Sequence, residues 1–454
     1  MVQVAIMRET LSVLEERLDH PTARGLAIAV SRALREGHLV PGSRLPPIRM
    51  VATQLGLSPN TVSAAWALLV RSGAIHTDGR RGTTISEQIT GPLRYRKALE
   101  RQTTFEWDLA TGVPDPALLP ELGPILRTLD TPTTMLGSYL DEPVLPELVD
   151  VLRADWPYDA EDFTLVNGAM DALNLAANSF VKFGDRVVVE DPCFAPLLDL
   201  LESLGAEVVG VPIQKDGMDP VALAEAVRHP VAAVFLQPRA QNPTGISMSR
   251  ERASQLAEIL RAAGPIVIED DSSGGVVEDA TPMSLGQWLP EQTLHIHSFS
   301  KSHGPDLRLA AVSGPVEFIS EIAGRRQLAQ GWTSRLLQRL LLRLITDEVA
   351  VKQVVHARTE YRRRRQAVVK ALQEQDIAVV GEDGINIWLP VNDETAAVIR
   401  LASQGIGVTP GAPFCVNPGD RDHIRVTVGL LPDRHAEVAD FLASAARTKA
   451  WRGP

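Results

Sequence analysis

A lysine set among hydroxyls is the most chemically suggestive feature of this 454-residue chain: His297-Ser298-Phe299-Ser300-Lys301-Ser302-His303, followed by Asp306-Leu307-Arg308. A primary amine condenses with an aldehyde to a Schiff base, while Ser298, Ser300 and Arg308 offer donors of the kind that hold a phosphate. Read alone, the stretch suits a surface loop with a solvated lysine equally well. Other residues of matching chemistry shift that balance. Asn167-Gly168-Ala169-Met170 joins an apolar run to a helical pattern. Gly168 admits close approach there, and the helix amides at Ala169 and Met170 can receive an anion. Asp191-Pro192-Cys193-Phe194 puts an aromatic ring at the end of the next run, and Gln241-Asn242-Pro243-Thr244-Gly245 is a turn carrying an amide. Glu269-Asp270-Asp271 ends an apolar run with carboxylates, which is costly to bury unless a cationic partner is present.

A protonated pyridine nitrogen would be such a partner. Lysine, aspartate, asparagine, aromatic ring, phosphate cradle and arginine together describe one ligand, pyridoxal 5'-phosphate.

The elements that must position these residues alternate. From Phe163, apolar runs (163–166, 186–190, 208–212, 231–236, 265–269) are separated by helical patterns, among them 250–263. Continuous apolar strands between helices predict a mostly parallel α/β sheet, with functional residues in loops at the strands' carboxyl ends. Beyond Leu336 the pattern turns helical and charged; residues 384–390, 394–404, 407–410 and 423–428 predict a smaller α+β domain, closed by a helix over 434–449. The arginines of 356–373 read as a solvated face in preference to a DNA contact.

Charge separates a head from this body. Net charge is −11, yet residues 1–85 hold ten Arg, no Lys and six acids, a surplus of four positive charges that leaves −15 for the remainder. Apolar residues Leu26, Ala29, Val30, Ala33 and Leu34 predict a helix ending at Gly37; a second runs from Pro47 to Leu55. Ser58 caps a third, with Pro59 at its first position, Val62, Trp66, Leu69 and Val70 inward, and Asn60, Thr61, Ser63 and Ala64 outward. A hairpin follows, with Arg80 and Arg81 at its tip and Thr83 beyond. Two helices about a tight turn plus such a wing fit DNA docking, though a small helical interaction module shares the geometry. Residues 87–104 read as a polar tether. Two cysteines, Cys193 and Cys415, are too few for a disulfide framework and fit no metal spacing; no run reaches membrane-span length, so a cytoplasmic protein is expected.

The stretches Glu36–Arg49, Leu55–Val62 and Gly79–Thr83 resemble the winged-helix domain of GntR-type bacterial repressors. That resemblance implies DNA contacts by Arg44, Arg49, Ser58, Asn60, Thr61, Ser63, Arg80, Arg81 and Thr83, with Pro59 standing where family members usually have Arg. Residues 105–445 resemble fold-type I aminotransferases. By that likeness Lys301 is the Schiff-base lysine, Asp270 pairs with the ring nitrogen, Asn242 with the ring hydroxyl, and Phe194 stacks on the ring. Ala169, Met170, Ser298, Ser300 and Arg308 hold the phosphate, Tyr139 reaches it from the partner of a homodimer, and Arg425 grips a ligand carboxylate. Ser272 stands where a ring-facing tyrosine is usual, Pro196 where a second arginine is sometimes found, and the loop after Tyr139 lacks the usual glycine. Head, tether and body together, with Gly112-Val-Pro-Asp-Pro-Ala-Leu-Leu-Pro, look like MocR-type regulators. The layout expected is 1–86 winged helix, 87–104 linker, 105–340 large domain and 341–454 small domain. The function implied is a regulator that binds operator DNA and senses pyridoxal phosphate, or a small amino compound, through an aldimine at Lys301. The alternative is an active aminotransferase with an accessory head.

Overall fold

The computed structural model describes residues 2–35, 38–40, 42–71, 75–78, 82–85, 105–129, 142–277, 282–416 and 422–448. The chain divides into two compact units, one built on the N-terminal residues through Tyr95, the other holding most of the remaining chain.

The N-terminal unit contains helices α1 (Val2–Arg17), α2 (Ala23–Arg35), α3 (Ile48–Gln54) and α4 (Pro59–Arg71), then strands β1 (Ile75–Asp78) and β2 (Gly82–Ile85). Leu26, Val30 and Ala33 of α2 meet Val62, Ala65, Trp66 and Leu69 of α4 in one core. A fully buried Leu or Val contributes about 1.5–3 kcal/mol, so this core outweighs any single cap. Helix α1, which the sequence pattern did not suggest, adds Leu11 and Leu14 to it. Val62, Trp66 and Leu69 are buried as expected; Val70, also expected inward, is exposed, and Ala65 and Leu68 complete the buried stripe. β1 and β2 form the expected antiparallel hairpin, Ile75 opposite Ile85, and Leu45 N donates to Thr83 O at 2.9 Å. The wing tip with Arg80 and Arg81 lies outside the described residues.

In the body, β3 (Trp107–Asp108) precedes β4 (Asp162–Val166), β5 (Arg186–Asp191), β6 (Glu207–Gln214), β7 (Gly217–Met218), β8 (Ala233–Leu236), β9 (Ile266–Asp271), β10 (Thr293–Ser298) and β11 (Ala310–Gly314). The large sheet has the order β4-β11-β10-β9-β8-β5-β6-β7. β8, β9 and β10 run parallel, and all four residues of β8 are buried, as an apolar strand covered on both faces requires. β11 runs antiparallel to both β10 and β4, so the Lys301–Arg308 segment is a return loop at one end of the sheet. The helix Arg250–Ala263 is capped by the Ser249 hydroxyl and closed by left-handed Gly264.

The remaining strands are β12 (Ile387–Pro390), β13 (Ile406–Gly407), β14 (Thr409–Pro410) and β15 (His423–Val426). β12, β15 and β14 form an antiparallel sheet, while β13 pairs with β3, so Leu109 is buried in the C-terminal core. A 26-residue helix, Glu348–Gln373, leads into this region. Its arginines are not one solvated face. Arg364 and Arg365 are buried: Arg364 pairs with Asp115 at 2.7 Å and Glu360 at 2.8 Å, and Arg365 donates to Gly381 O at 2.7 Å. Arg362 and Arg363 stay exposed. Among the described residues, no helix is long and apolar enough to cross a membrane.

Candidate functional site

The carboxyl ends of β9 and β10 and the return loop to β11 gather the residues singled out by their chemistry. Lys301 is half-buried, and its Nζ donates to Gly112 O. Burial, reinforced by the Arg425 guanidinium and opposed by Asp270, pushes its ammonium down from 10.5 to about 8. An amine so placed is a better nucleophile at neutral pH than an exposed lysine.

Three consecutive acids end β9, and their partners differ. Glu269 accepts from Ser284 Oγ at 2.5 Å and Leu285 N at 2.6 Å and lies 2.7 Å from His295 Nδ1. Asp271 is paired with Arg239 at 2.5 Å and His297 at 3.0 Å. Asp270 accepts from Gln237 Nε2 at 2.8 Å and from Ser272 Oγ, both neutral donors. Burial accordingly drives the Asp270 carboxyl up, the two hydrogen bonds only partly opposing it. Ser272, expected among the cofactor contacts, spends its hydroxyl on Asp270.

Gln237 was not anticipated and ties the site together. Its side chain also accepts from Asn242 N at 2.8 Å, and its own amide donates to Glu190 Oε2 at 3.0 Å. Burial lifts the Glu190 carboxyl to about 8. Asn242 Oδ1 is buried with no hydrogen-bond partner among the described residues. Amide oxygen and nitrogen are interchangeable by a flip, so this side chain presents an unsatisfied polar end of either sense. Phe194 is half-buried, and its neighbour Cys193 is anchored through its amide to Phe414 O at 2.7 Å. Both cysteines are buried and neither forms a disulfide, and no cluster of metal-ligating groups occurs among the described residues.

The residues expected to hold a phosphate also come together. Gly168, at φ +94°, passes so close to Arg308 that an added Cβ would lie 3.1 Å from its Nη2. The same nitrogen donates to Asn167 O at 3.0 Å, while the hydroxyls of Ser298 and Ser300 are 3.2 Å apart. Ala169 and Met170 open the helix Ala169–Phe180, where the first amides have no intrahelical acceptor. Arg425 is buried on β15, donates to Thr409 Oγ1 at 3.0 Å and Ala110 O, and stacks 5.1 Å from the Phe414 ring centre. A Cβ on Gly112 would fall 3.2 Å from its Nη1. Lys301 and Arg425 therefore converge on one turn of backbone. Tyr139 lies outside the described residues.

A pyridine ring bearing an aldehyde, a hydroxyl and a phosphate fits this set: the hydrogen bonds to Asp270 come from neutral donors, Asn242 Oδ1 has no hydrogen-bond partner among the described residues, and Arg308 stands against Gly168 at the start of the helix Ala169–Phe180. In the N-terminal unit, Arg44, Arg49, Asn60 and Ser63 are exposed. Ser58 Oγ accepts from Thr61 N at 3.0 Å and lies 2.8 Å from Thr61 Oγ1, so both hydroxyls serve the α4 cap. Thr83 is half-buried in β2.

Residues 133–442 match the aminotransferase class I and II family, and residues 22–85 match the gntR family of bacterial regulatory proteins. The vitamin B6 salvage pathway transcriptional repressor PtsJ of Salmonella typhimurium is 32% identical over 92% of this chain and 96% of its own length. The HTH-type transcriptional regulator TauR of Rhodobacter capsulatus is 24% identical over 85% of this chain and 88% of its own. Among solved structures, the α-aminoadipate aminotransferase LysN of Thermus thermophilus shares the fold at TM-score 0.68 and 23% identity, covering 78% of this chain and 94% of that one. The chain belongs to the MocR-type transcriptional regulators, in which a gntR-family head is fused to an aminotransferase class I and II body.

Proposed function

We propose that this protein is a homodimeric repressor that answers to pyridoxal 5'-phosphate, with vitamin B6 supply as its regulatory context. The carrying observation is Asp270, buried between two neutral donors and driven toward protonation, beside a Lys301 amine pushed down to about 8. The cofactor supplies an aldehyde for that amine and a basic ring nitrogen whose protonated form suits a carboxylate. Gln237 holds Asp270 and the Asn242 turn in register, and Arg308 with the Ala169 and Met170 amides receives the phosphate. The vitamin B6 salvage role of PtsJ supports the choice of effector. Arg44, Arg49, Asn60 and Ser63, together with the wing arginines, would contact operator DNA.

A second reading keeps Arg425 in view. Its approach to the Lys301 turn favours an added amino acid whose carboxylate it would take, giving an amino-compound effector or slow transamination.

The deciding experiment is fluorescence anisotropy with DNA from upstream of the protein's own gene, with and without pyridoxal phosphate. Specific, salt-sensitive binding that shifts on adding the cofactor is expected, and Lys301→Ala should abolish the shift. Binding indifferent to sequence, or a shift that persists in Lys301→Ala, sinks the proposal. Adding amino acids in the same assay tests the second reading.

A further inference from the structure

Strand pleating gives β9 and β10 a second working face. Asp271, His295 and His297 line a cavity of about 390 Å³, whereas the alternate residues Asp270, Ile296 and Ser298 do not. That volume falls within the range of small-molecule sites, roughly 300–1,000 Å³.

Its polar floor is largely spent. Arg239 grips Asp271 through Nε at 3.2 Å and Nη2 at 2.5 Å, and His297 Nδ1 sits 3.0 Å away. Burial disfavours the Asp271 carboxylate, but Arg239 and His297 outweigh it and hold the carboxyl well below its usual range. His303, 2.9 Å from Ser302 Oγ through Nδ1, is pushed down to about 4 by burial, His297 and Arg358, and so is neutral at neutral pH. Arg358 is different. It reaches in from the helix Glu348–Gln373, donates Nε to Gly275 O at 2.9 Å, and has no ion-pair partner among the described residues. Burial and the nearby Arg239 lower its pKa, a sign of a guanidinium short of counter-charge. Leu152, Trp156, Phe299, Ile345 and Val354 form apolar walls, and the remaining acid, Asp155, is exposed.

We infer that this cavity is a second ligand site, taking a small carboxylate or phosphate ester with an apolar body, anchored by Arg358. The anion completes the charge of the guanidinium, and the body replaces water against Trp156 and Val354. Among the described residues, a ligand ammonium has no unpaired carboxylate to meet except at the rim.

The test uses the full chain, loaded with pyridoxal phosphate and reduced with borohydride so that Lys301 is blocked. Phenyl phosphate, 3-phenylpropionate and phenethylamine are titrated by calorimetry. At least one anion binds once per chain and the amine does not; which anion binds assigns phosphate or carboxylate. Arg358→Met weakens binding about tenfold or more, the usual scale for a charge-assisted hydrogen bond. Val354→Trp, which fills the cavity from another wall, abolishes it. No anion binding up to about 10 mM, equal binding of the amine, or indifference to both variants overturns the inference; the millimolar ceiling corresponds to only about 3 kcal/mol. Repeating the titration on Lys301→Ala, which cannot be blocked by borohydride, keeps this result separate from any failure of cofactor capture.

Discussion

Holding Lys301 ready as an amine should cost the cofactor-free protein stability, and Lys301→Met should recover it. The ammonium is pushed from 10.5 to about 8, chiefly by burial. The unfolded chain therefore binds the proton more tightly, a difference of about 3 kcal/mol at pH 7. The hydrogen bond from Nζ to Gly112 O offsets about 1 kcal/mol of this, leaving a net gain of about 2 kcal/mol for the methionine variant. The pH dependence is sharper than the absolute value. Because the folded pKa is depressed, the penalty is complete below about pH 8 and fades as pH rises toward 10.5. Between pH 7 and pH 10 the stability gap between variant and wild type should shrink by roughly 2–3 kcal/mol. Paired urea denaturations of cofactor-free protein across that window measure it, and other titrating groups cancel in the difference. A pH-independent gap, or a methionine variant less stable at pH 7, would refute the burial argument.

Asp270→Asn keeps the Gln237 contact but removes the charge, and should weaken pyridoxal phosphate binding by roughly two to three and a half orders of magnitude, the 3–5 kcal/mol of a broken buried pair; absorbance titration reads it. Glu190 binds its proton more tightly folded than unfolded, so its contribution to stability declines as pH rises from about 4.5 to about 8. Glu190→Gln should flatten that decline in urea denaturation, and an unchanged slope counts against the buried carboxyl. In the head, Arg49→Ala should lower the slope of log K against log salt by about 1 if Arg49 meets one phosphate, without changing sequence preference. Anisotropy at several salt concentrations checks it.

The features legible in the sequence were those that local chemistry and periodicity decide. Lys301, Asp270 and Asn242 stand at the ends of apolar runs, where the side chain is forced either to be wasted or to be used. The Arg250–Ala263 helix carries its own cap and stop signals. The features that escaped were set by partners distant in the chain. Gln237 looks like an ordinary strand-end amide until it is placed against Asp270, 33 residues away, and Glu190, 47 away. Arg364 reads as solvated until Asp115, 249 residues earlier, is folded onto it. Helix α1 is legible only through Leu11 and Leu14, whose burial depends on α2 and α4. Ser58 was legible as the α4 cap, whereas Thr61 was expected to face outward, and geometry alone shows its hydroxyl 2.8 Å from that of Ser58.

The site's internal tensions bear on how a body of this kind can regulate. Lys301 is held below its ordinary pKa, Asp270 above, and Asn242 Oδ1 goes without a partner among the described residues. Each is unfavourable in the ligand-free fold, and a ligand that met all three groups would relieve them together. A ligand shifts a conformational equilibrium only by the difference in its affinity for the two states. An arrangement of Asp270, Asn242 and Lys301 that closes on the ligand gains all three terms, whereas one that binds only the phosphate at Arg308 gains none of them. Moving a two-state body from mostly one form to mostly the other takes about 5.5 kcal/mol, so the effector must distinguish the two forms by about that much. An enzyme under selection for turnover would spend such differences on its transition state; a regulator can leave them in the bound ground state.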